Sequence, residues 1–325
     1  MPIASPAFIG AAITQIPALL EGLAAHRVLP PFPVAQARGM IPFATMARSV
    51  LSCRRAPDGS VESIRSDIGE IEIDCDEHAV QTPIRDERIT MLGGAERAHA
   101  LVAVQLARPV LIAREMAAAE ILFSTSTFDA AHRVDIAAGK EWNALLDAGK
   151  AVDDLEAAIG KLTARGFNRA RLSLLLSDLA YSALKRNVQV RAQIQGSGPA
   201  LTGSAIAALL DIKEVIIAGE AKAVILNANG GTFAPIWNPK MALLAFIDSG
   251  AEPSASLGHT FVHDDSSDRP KLAASAELPS NPALMIRSTV FRNEGLRADV
   301  VRVQSHTDIK LTNIDAGCLI TGCTV

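Results

Sequence analysis

An α+β fold is what this sequence of 325 residues predicts, and three observations predict it. Strand-like apolar runs and helical segments follow one another in mixed order, without the regular β–α–β alternation of a parallel sheet. One segment, 94–123, is a far longer helix former than any other. The stretch from Ile236 to Phe261, IWNPKMALLAFIDSGAEPSASLGHTF, reads as two buried strands separated by a polar, proline-containing break.

Hydrophobic residues make up 49% of the chain and charged residues 20%, enough for a sizeable core. Aromatics are only 4%, with one tyrosine, Tyr181, so few rings are available to stack on single-stranded nucleic acid. A formal net charge of −4 argues against a strong non-specific DNA binder, which would carry an excess of Lys and Arg. Cys53, Cys75, Cys318 and Cys323 form no CxxC pair and no zinc spacing, so free thiols in a reducing compartment are expected. The apolar start lacks a basic leader region and is cut by Pro2, Pro6 and Pro17, unlike a signal peptide. No window reaches the roughly 18 apolar residues of a membrane span. A soluble protein made in a cytoplasm, without a membrane partner, is expected.

Residues 1–45 hold seven of the 17 prolines, which favours an extended segment with at most a short helix near Ala18–Ala25. The segment nonetheless carries Phe8, Ile9, Ile13 and Ile16. An apolar, proline-punctuated arm suits a segment that packs on another subunit, or one that wraps its own domain. Residues 48–55 and 60–65 flank Ala56-Pro57-Asp58-Gly59 and read as a strand–turn–strand hairpin. Its charged residues, Arg54, Arg55, Glu62 and Arg65 among them, leave too few apolar positions for a core hairpin. A lone two-stranded ribbon is marginal in water, so this one is expected to project and find support from a neighbour.

The helix at 94–123 presents Leu101, Val104, Leu111, Met116 and Ile121 at loosely helical spacing, and Pro109 is expected to kink or interrupt it. A second helix spans Ala151–Arg165, with Asp153 and Asp154 near its start and Lys161 and Arg165 near its end, as the helix dipole favours. Ala170–Leu176 is a strand, after which Ser177 or Asp178 caps the short helix DLAYSALKRN. A helix at Ser204–Leu210 and a strand at Glu214–Ala218 follow. Val290–Val303, Asp308–Asn313 and Cys318–Ile320 supply the last strands.

No constellation of residues points to catalysis. Gly196-Ser197-Gly198 lacks the pattern of a phosphate loop. His259 and His263 stand four apart on a predicted strand, roughly 13 Å from each other and too far for one metal ion. Asp264, Asp265 and Asp268 read as a solvated loop rather than a calcium site. Asp153 and Asp154 are adjacent on a helix and point to different faces. No GxSxG elbow supports a Ser–His–Asp triad. Neither an enzymatic role nor a cofactor is expected, and an α+β hydrolase is the distant alternative.

The order of segments over roughly 280 residues resembles the major capsid proteins of tailed bacteriophages, the Hong Kong 97-type fold. The resemblance runs through IEIDCDEHAVQTPIRDER and the long helix closing in AAAEILFSTSTF. It continues through Trp142 and DAGKAVDDLEAAIGKL, although the Asp-Pro usual after that Trp is absent. SALKRNVQV follows, with Val188 where a proline is usual, then LLDIKEVIIAG, the Ile236–Phe261 stretch, and the closing RADVVRVQSHTDIKLTNIDAGCLITGC. No single motif is specific; their shared order is what carries the likeness.

The resemblance implies an N-terminal arm (1–45), an E-loop hairpin (46–90) and a peripheral domain with a long spine helix (91–150). It further implies an axial domain (151–247), peripheral-domain strands (248–312) and a C-terminal segment returning to the axial domain (313–325). It also implies self-assembly into hexamers and pentamers of an icosahedral virion shell, assembled in a host cytoplasm around double-stranded DNA without sequence specificity. Scaffold, portal and decoration proteins are the further partners it suggests. An encapsulin-like compartment or the head of a gene-transfer agent is the alternative. Assembly contacts are expected at Phe8 and Ile9 of the arm and at Arg54, Arg55, Glu62 and Arg65 of the hairpin.

Overall fold

In a computed structural model the described residues are 22–44, 68–144, 149–194, 201–219, 222–227, 230–248, 255–263, 276–281 and 286–324. The chain begins with a one-turn helix α1 (Ala25–Val28), then β1 (Pro31–Val34), β2 (Arg38–Ala44), β3 (Ile68–Asp74) and β4 (Asp76–Arg85). A short helix α2 (Asp86–Met91) precedes the long helix α3 (Ala95–Leu122). Next come β5 (Arg133–Asp135), α4 (Ala151–Ala164), β6 (Leu172–Ser177), α5 (Asp178–Arg186), α6 (Val188–Ile194), α7 (Gly203–Leu209) and β7 (Glu214–Ala218). The rest is strand: β8 (Lys222–Asn227), β9 (Gly230–Pro235), β10 (Met241–Phe246), β11 (Gly258–His263), β12 (Ala276–Asn281), β13 (Ile286–Asn293), β14 (Ala298–Leu311) and β15 (Gly317–Thr321).

Two sheets organise these elements. The first has five strands in the order β5-β15-β10-β6-β7. Its central strands are continuous apolar runs, MALLAF in β10 and LSLLLS in β6, because helices cover the sheet and neither face of these strands meets water. Helix α4 buries Ala151, Val152, Leu155, Ala158, Ile159 and Leu162, the 3–4 spacing of an amphipathic helix. Ser177 ends β6 and caps α5 by accepting a bond from the Ala180 amide at 3.1 Å. Gly317, which starts β15, makes room for its neighbours: a Cβ there would lie 2.8 Å from both Leu257 and Phe128, and these buried side chains would have to shift.

The second sheet has six strands built around β14, which spans 14 residues. Strand β4 pairs with residues 298–307 of β14, and β13 pairs with 298–304 of the same stretch, so they lie on opposite edges. Thr307 faces both Asp76 of β4 and Val262 of β11, which puts β11 on the β13 side. β11 and β13 are therefore one line of pairing along β14, which the chain leaves after His263 and rejoins at Ile286. Strand β1 adds to β11 in parallel, and β12 adds to β13. Helix α3 lies over this sheet, with Val102, Ala103, Ala107, Val110 and Leu111 against Ile84, Val301 and Val303.

Several expectations need correction. The two buried strands expected in Ile236–Phe261 are present as β10 and β11, in different sheets, and need none. Pro109 does not interrupt α3. It and Gln105 are exposed, so water can satisfy the Gln105 carbonyl that loses its partner. The buried stripe of α3 is not the one through Leu101 and Met116, which are 41% and 44% exposed. Alanines make much of the contact face, and small side chains let the helix approach the strands. The single strand expected at Val290–Val303 is two, β13 and β14, joined by a turn at 294–297. Residues 18–21 of the helix expected near Ala18–Ala25 lie outside the described residues, and the first described helix is Ala25–Val28.

Candidate assembly surfaces and the junction that positions them

Residues 22–34 tie the two sheets together. At one end, the Gly219 amide after β7 donates to the Gly22 carbonyl at 3.0 Å. The approach is so close that a Cβ on Gly219 would fall 2.8 Å from the Gly22 Cα. At the other end, β1 pairs with β11 from Pro31↔Thr260 to Val34↔His263, and the Thr260 hydroxyl donates to the Leu29 carbonyl at 3.2 Å. Arg27 forms an ion pair with Glu214 of β7 between these points.

Glu115 of α3 holds the middle of this segment. Its carboxylate is 1% exposed and accepts bonds from the Ala24 amide at 2.7 Å and the Ala25 amide at 2.9 Å. It also accepts the Trp237 indole N–H at 2.7 Å. The amides at a helix start have no partner within the helix, and a buried indole needs an acceptor, so one carboxylate settles three orphan donors. Burial pushes the Glu115 carboxyl above its usual range, and the three hydrogen bonds oppose that shift. Burial likewise lowers the neighbouring Arg114 to about 10. His26 is lowered to about 4 by burial and by Arg114 and Arg27, so it is neutral near pH 7. Trp237 packs edge-on against Phe123 at 5.0 Å. It is a core residue where segments meet.

A second buried knot stabilises the five-stranded sheet. Trp142 is 2% exposed; its indole donates to Asp154 at 3.2 Å and its amide donates to the Cys323 carbonyl at 2.9 Å. The Asn187 amide group donates to the Trp142 and Gly149 carbonyls, both at 3.0 Å, while its oxygen accepts from the Gln189 amide. Val188 thus sits at the first position of α6, a place that tolerates proline because its N–H has no helical partner. Asp153 points elsewhere, accepting from Gln189 at the surface. Burial raises Asp154.

The six-stranded sheet is pinned at its far end by Arg292. This side chain bonds Asp86 of α2 at 2.8 Å and Asp299 of β14 at 3.1 Å, and Asp299 in turn meets His99 of α3 at 3.0 Å. The Asp86 bonds hold that guanidinium well above its usual value.

The outward surfaces are distinct in character. β2 and β3 form a separate two-stranded ribbon, paired from Arg38↔Asp74 to Ala44↔Ile68. It flanks the stretch 45–67, where the charged hairpin was expected. Along β3 and β4, Ile71, Ile73 and Cys75 turn inward while Glu70, Glu72, Asp74 and Asp76 are exposed, the alternation of a strand with one wet face. Met40, 60% exposed, lies opposite Glu72. The outward face of α3 is of opposite sign, with Arg97 and Arg108 beside Leu101 and Met116, all exposed.

Arg54, Arg55, Glu62, Arg65, Phe8 and Ile9 lie outside the described residues, as do Cys53, Gly196-Ser197-Gly198 and Asp264, Asp265 and Asp268. Cys75, Cys318 and Cys323 are buried free thiols, and burial raises the pKa of each, that of Cys75 to about 11. Among the described residues no group of three or more His, Cys, Asp or Glu is arranged to hold a metal ion. No described helix is long and apolar enough to cross a membrane. Sequence reading singled out Trp142 and the stretch that holds Trp237 but missed Glu115, Asn187 and Arg292. Glu115 had one available signal: a charged Arg-Glu pair inside a helix whose flanking residues are alanine-rich.

No family model matches the sequence, and no curated protein matches it at a significant level. Solved structures do match. A phage-related protein from Bordetella bronchiseptica RB50 aligns over 99% of this chain and 98% of its own, with TM-score 0.69 and 17% identity. The capsid of cyanophage P-SCSP1u aligns over 90% and 86%, with TM-score 0.55 and 11% identity. The capsid of a native GTA particle aligns over 93% and 90%, with TM-score 0.54 and 17% identity. The fold is the α+β, Hong Kong 97-type capsid fold.

Proposed function

We propose that this chain is the major subunit of an icosahedral shell that encloses double-stranded DNA, with copies arranged in hexamers and pentamers. The observation that carries this reading is the near end-to-end likeness of 99% of the chain to a phage-related protein, at TM-score 0.69. The likeness to the cyanophage and GTA capsids over 90% and 93% of the chain supports a structural role. The division into arm (1–45), E-loop (46–90), peripheral domain with spine helix (91–150), axial domain (151–247), peripheral strands (248–312) and returning C-terminal segment (313–325) is part of the proposal. It is supported by the way β10 and β11 fall in different sheets and β15 pairs with β10.

The ribbon supplies the physical motive for assembly. The inner side of β2–β3 packs on Phe32 and Phe261 through Ile41, Ile71 and Ile73, while its outer, acidic face with an exposed Met40 is turned to solvent. The outer face of α3, with Arg97, Leu101, Arg108 and Met116, complements it in charge and apolar content. Contacts repeated around a ring close into a multivalent assembly, so each can be modest. Phe8, Ile9, Arg54, Arg55, Glu62 and Arg65 are proposed to contribute at the same kind of contact between copies. Scaffold, portal and decoration proteins are the expected additional partners, and the assembled virion shell is the expected location.

Purified protein examined by sedimentation and negative-stain microscopy should form capsomer rings or closed shells. A strictly monomeric species at every concentration would overturn the proposal. Removing residues 1–21, which stops short of the segment that ties the two sheets together, or replacing Arg54 and Arg55 by Glu, should abolish shells while leaving the isolated chain folded. The GTA capsid likeness favours a second reading, a gene-transfer-agent head. Sequencing of nuclease-protected DNA from particles separates the two: phage genome in one case, fragments of host DNA in the other.

A further inference from the structure

We propose that His263 and His306 form a binding site for a borderline divalent metal ion, such as Zn²⁺, Ni²⁺ or Co²⁺, at the seam between β11 and β14. The inference does not depend on the shell reading.

The ladder between these strands runs from Gly258↔Leu311 to Val262↔Thr307, and the next rung brings His263 opposite His306. Residues directly opposite in an antiparallel pair share one face. The two ring centroids are 6.3 Å apart. Two imidazoles bound to one tetrahedral ion at metal–nitrogen distances of about 2.0–2.1 Å have centroids roughly 5 Å apart, so the pair must close by about 1 Å, within reach of side-chain rotation, to chelate.

The ring nitrogens are also suitably disposed. His263 Nδ1 lies 3.4 Å from the Val34 carbonyl oxygen. A carbonyl only accepts, so Nδ1 is the donor, which leaves Nε2 as the nitrogen that can ligate an ion. A backbone carbonyl behind the far nitrogen is the usual outer partner of a ligating histidine. His306 Nε2 is buried and has no hydrogen-bond partner among the described residues. A buried polar atom left so is costly, and an ion would satisfy it. With no third His, Cys, Asp or Glu arranged to join them, the remaining positions go to water. His259, on the same strand, is too far along it to take part and packs beside Phe32 instead. Because Val34 belongs to β1, an ion here would clamp β1, β11 and β14 together.

The test is calorimetric titration of untagged, chelator-treated full-length protein with Zn²⁺, Ni²⁺ and Co²⁺. One saturable equivalent per chain is expected. His263→Gln and His306→Gln should each weaken it by about tenfold or more, and His259→Gln should not change it. Absence of saturable binding, or binding unchanged in the double His263→Gln, His306→Gln variant, would overturn the assignment. A second measurement needs no variant: X-ray absorption at the zinc edge of the loaded wild-type chain should show two imidazole nitrogens at about 2.0–2.1 Å. A spectrum without imidazole ligands would overturn it as well.

Discussion

The five-stranded and six-stranded sheets of this chain solve the burial problem in different ways. In the first, β6 is buried at every position and β10 at all but its first, with helices α4 to α7 supplied by the adjacent sequence. In the second, β4 is mostly exposed, and β1 and β13 bury only part of their side chains. Its stability leans on α3, on the segment 22–34 and on ion pairs at its margin. One sheet is a self-sufficient core, and the other is a platform that recruits extended segments. The proposed shell would use both, since a platform that accepts extended segments from its own chain is suited to accept them from a neighbour.

The contrast is sharpest in core truncations. Leu244→Ala, at a fully buried centre of β10, should destabilise by about 2–5 kcal/mol. Val80→Ala, half-buried in β4, should cost only about 1 kcal/mol. Urea unfolding measures both, and equal losses would erase the distinction.

The junction comes next in size. Glu115→Ala strands the Ala24 and Ala25 amides and the Trp237 indole in a buried site, for a loss on the order of 3 kcal/mol. Hydrogen exchange should show the amides of residues 22–34 opening while β6 and β10 stay protected. Uniform loss of protection in both sheets would mean that the junction is not a separate element.

A pH dependence follows from His26. Its folded pKa of about 4 lies below the unfolded value of about 6.5, so the unfolded chain binds the proton more readily. The stability it contributes is complete above about pH 6.5 and is lost as pH falls toward 4. Glu115, whose pKa burial raises, has the opposite sign. His26→Gln should therefore flatten the acid-side loss of stability, measured by denaturant midpoints from pH 7 to 4.

The smallest effect on folding is expected at the ribbon. The Arg38–Asp74 pair is exposed at both partners, 76% and 52%, so Arg38→Ala should change folding stability by less than about 1 kcal/mol. Replacing Glu70 and Glu72 by Lys should likewise leave folding intact yet reduce particle yield severalfold. Particle yield that tracks folding stability alone would break the comparison.

How legible each sheet was follows the same division. Strand β10, strand β6, helix α4 and the Ser177 cap were readable because their patterns are local: an unbroken apolar run, a 3–4 stripe, a capping hydroxyl. The long helix was readable in extent, but its buried face was not. Alanines at the contact looked indifferent beside Leu101 and Met116, whose size suggested burial. Strand β14 was divided wrongly because a strand paired on both edges carries polar residues such as Gln304, Ser305 and Thr307 in buried positions. Glu115 was invisible for a further reason. Its donors lie about 90 and 122 residues away in sequence, and no local pattern encodes such a meeting.

The most direct test of the central claim is a cryo-electron microscopy map of the particle formed by the full-length protein. The account predicts a closed icosahedral shell in which the β2–β3 ribbon of each copy lies against the Arg97–Arg108 face of α3 in a neighbour. A ribbon folded back on its own chain, or the absence of any closed particle, would contradict it.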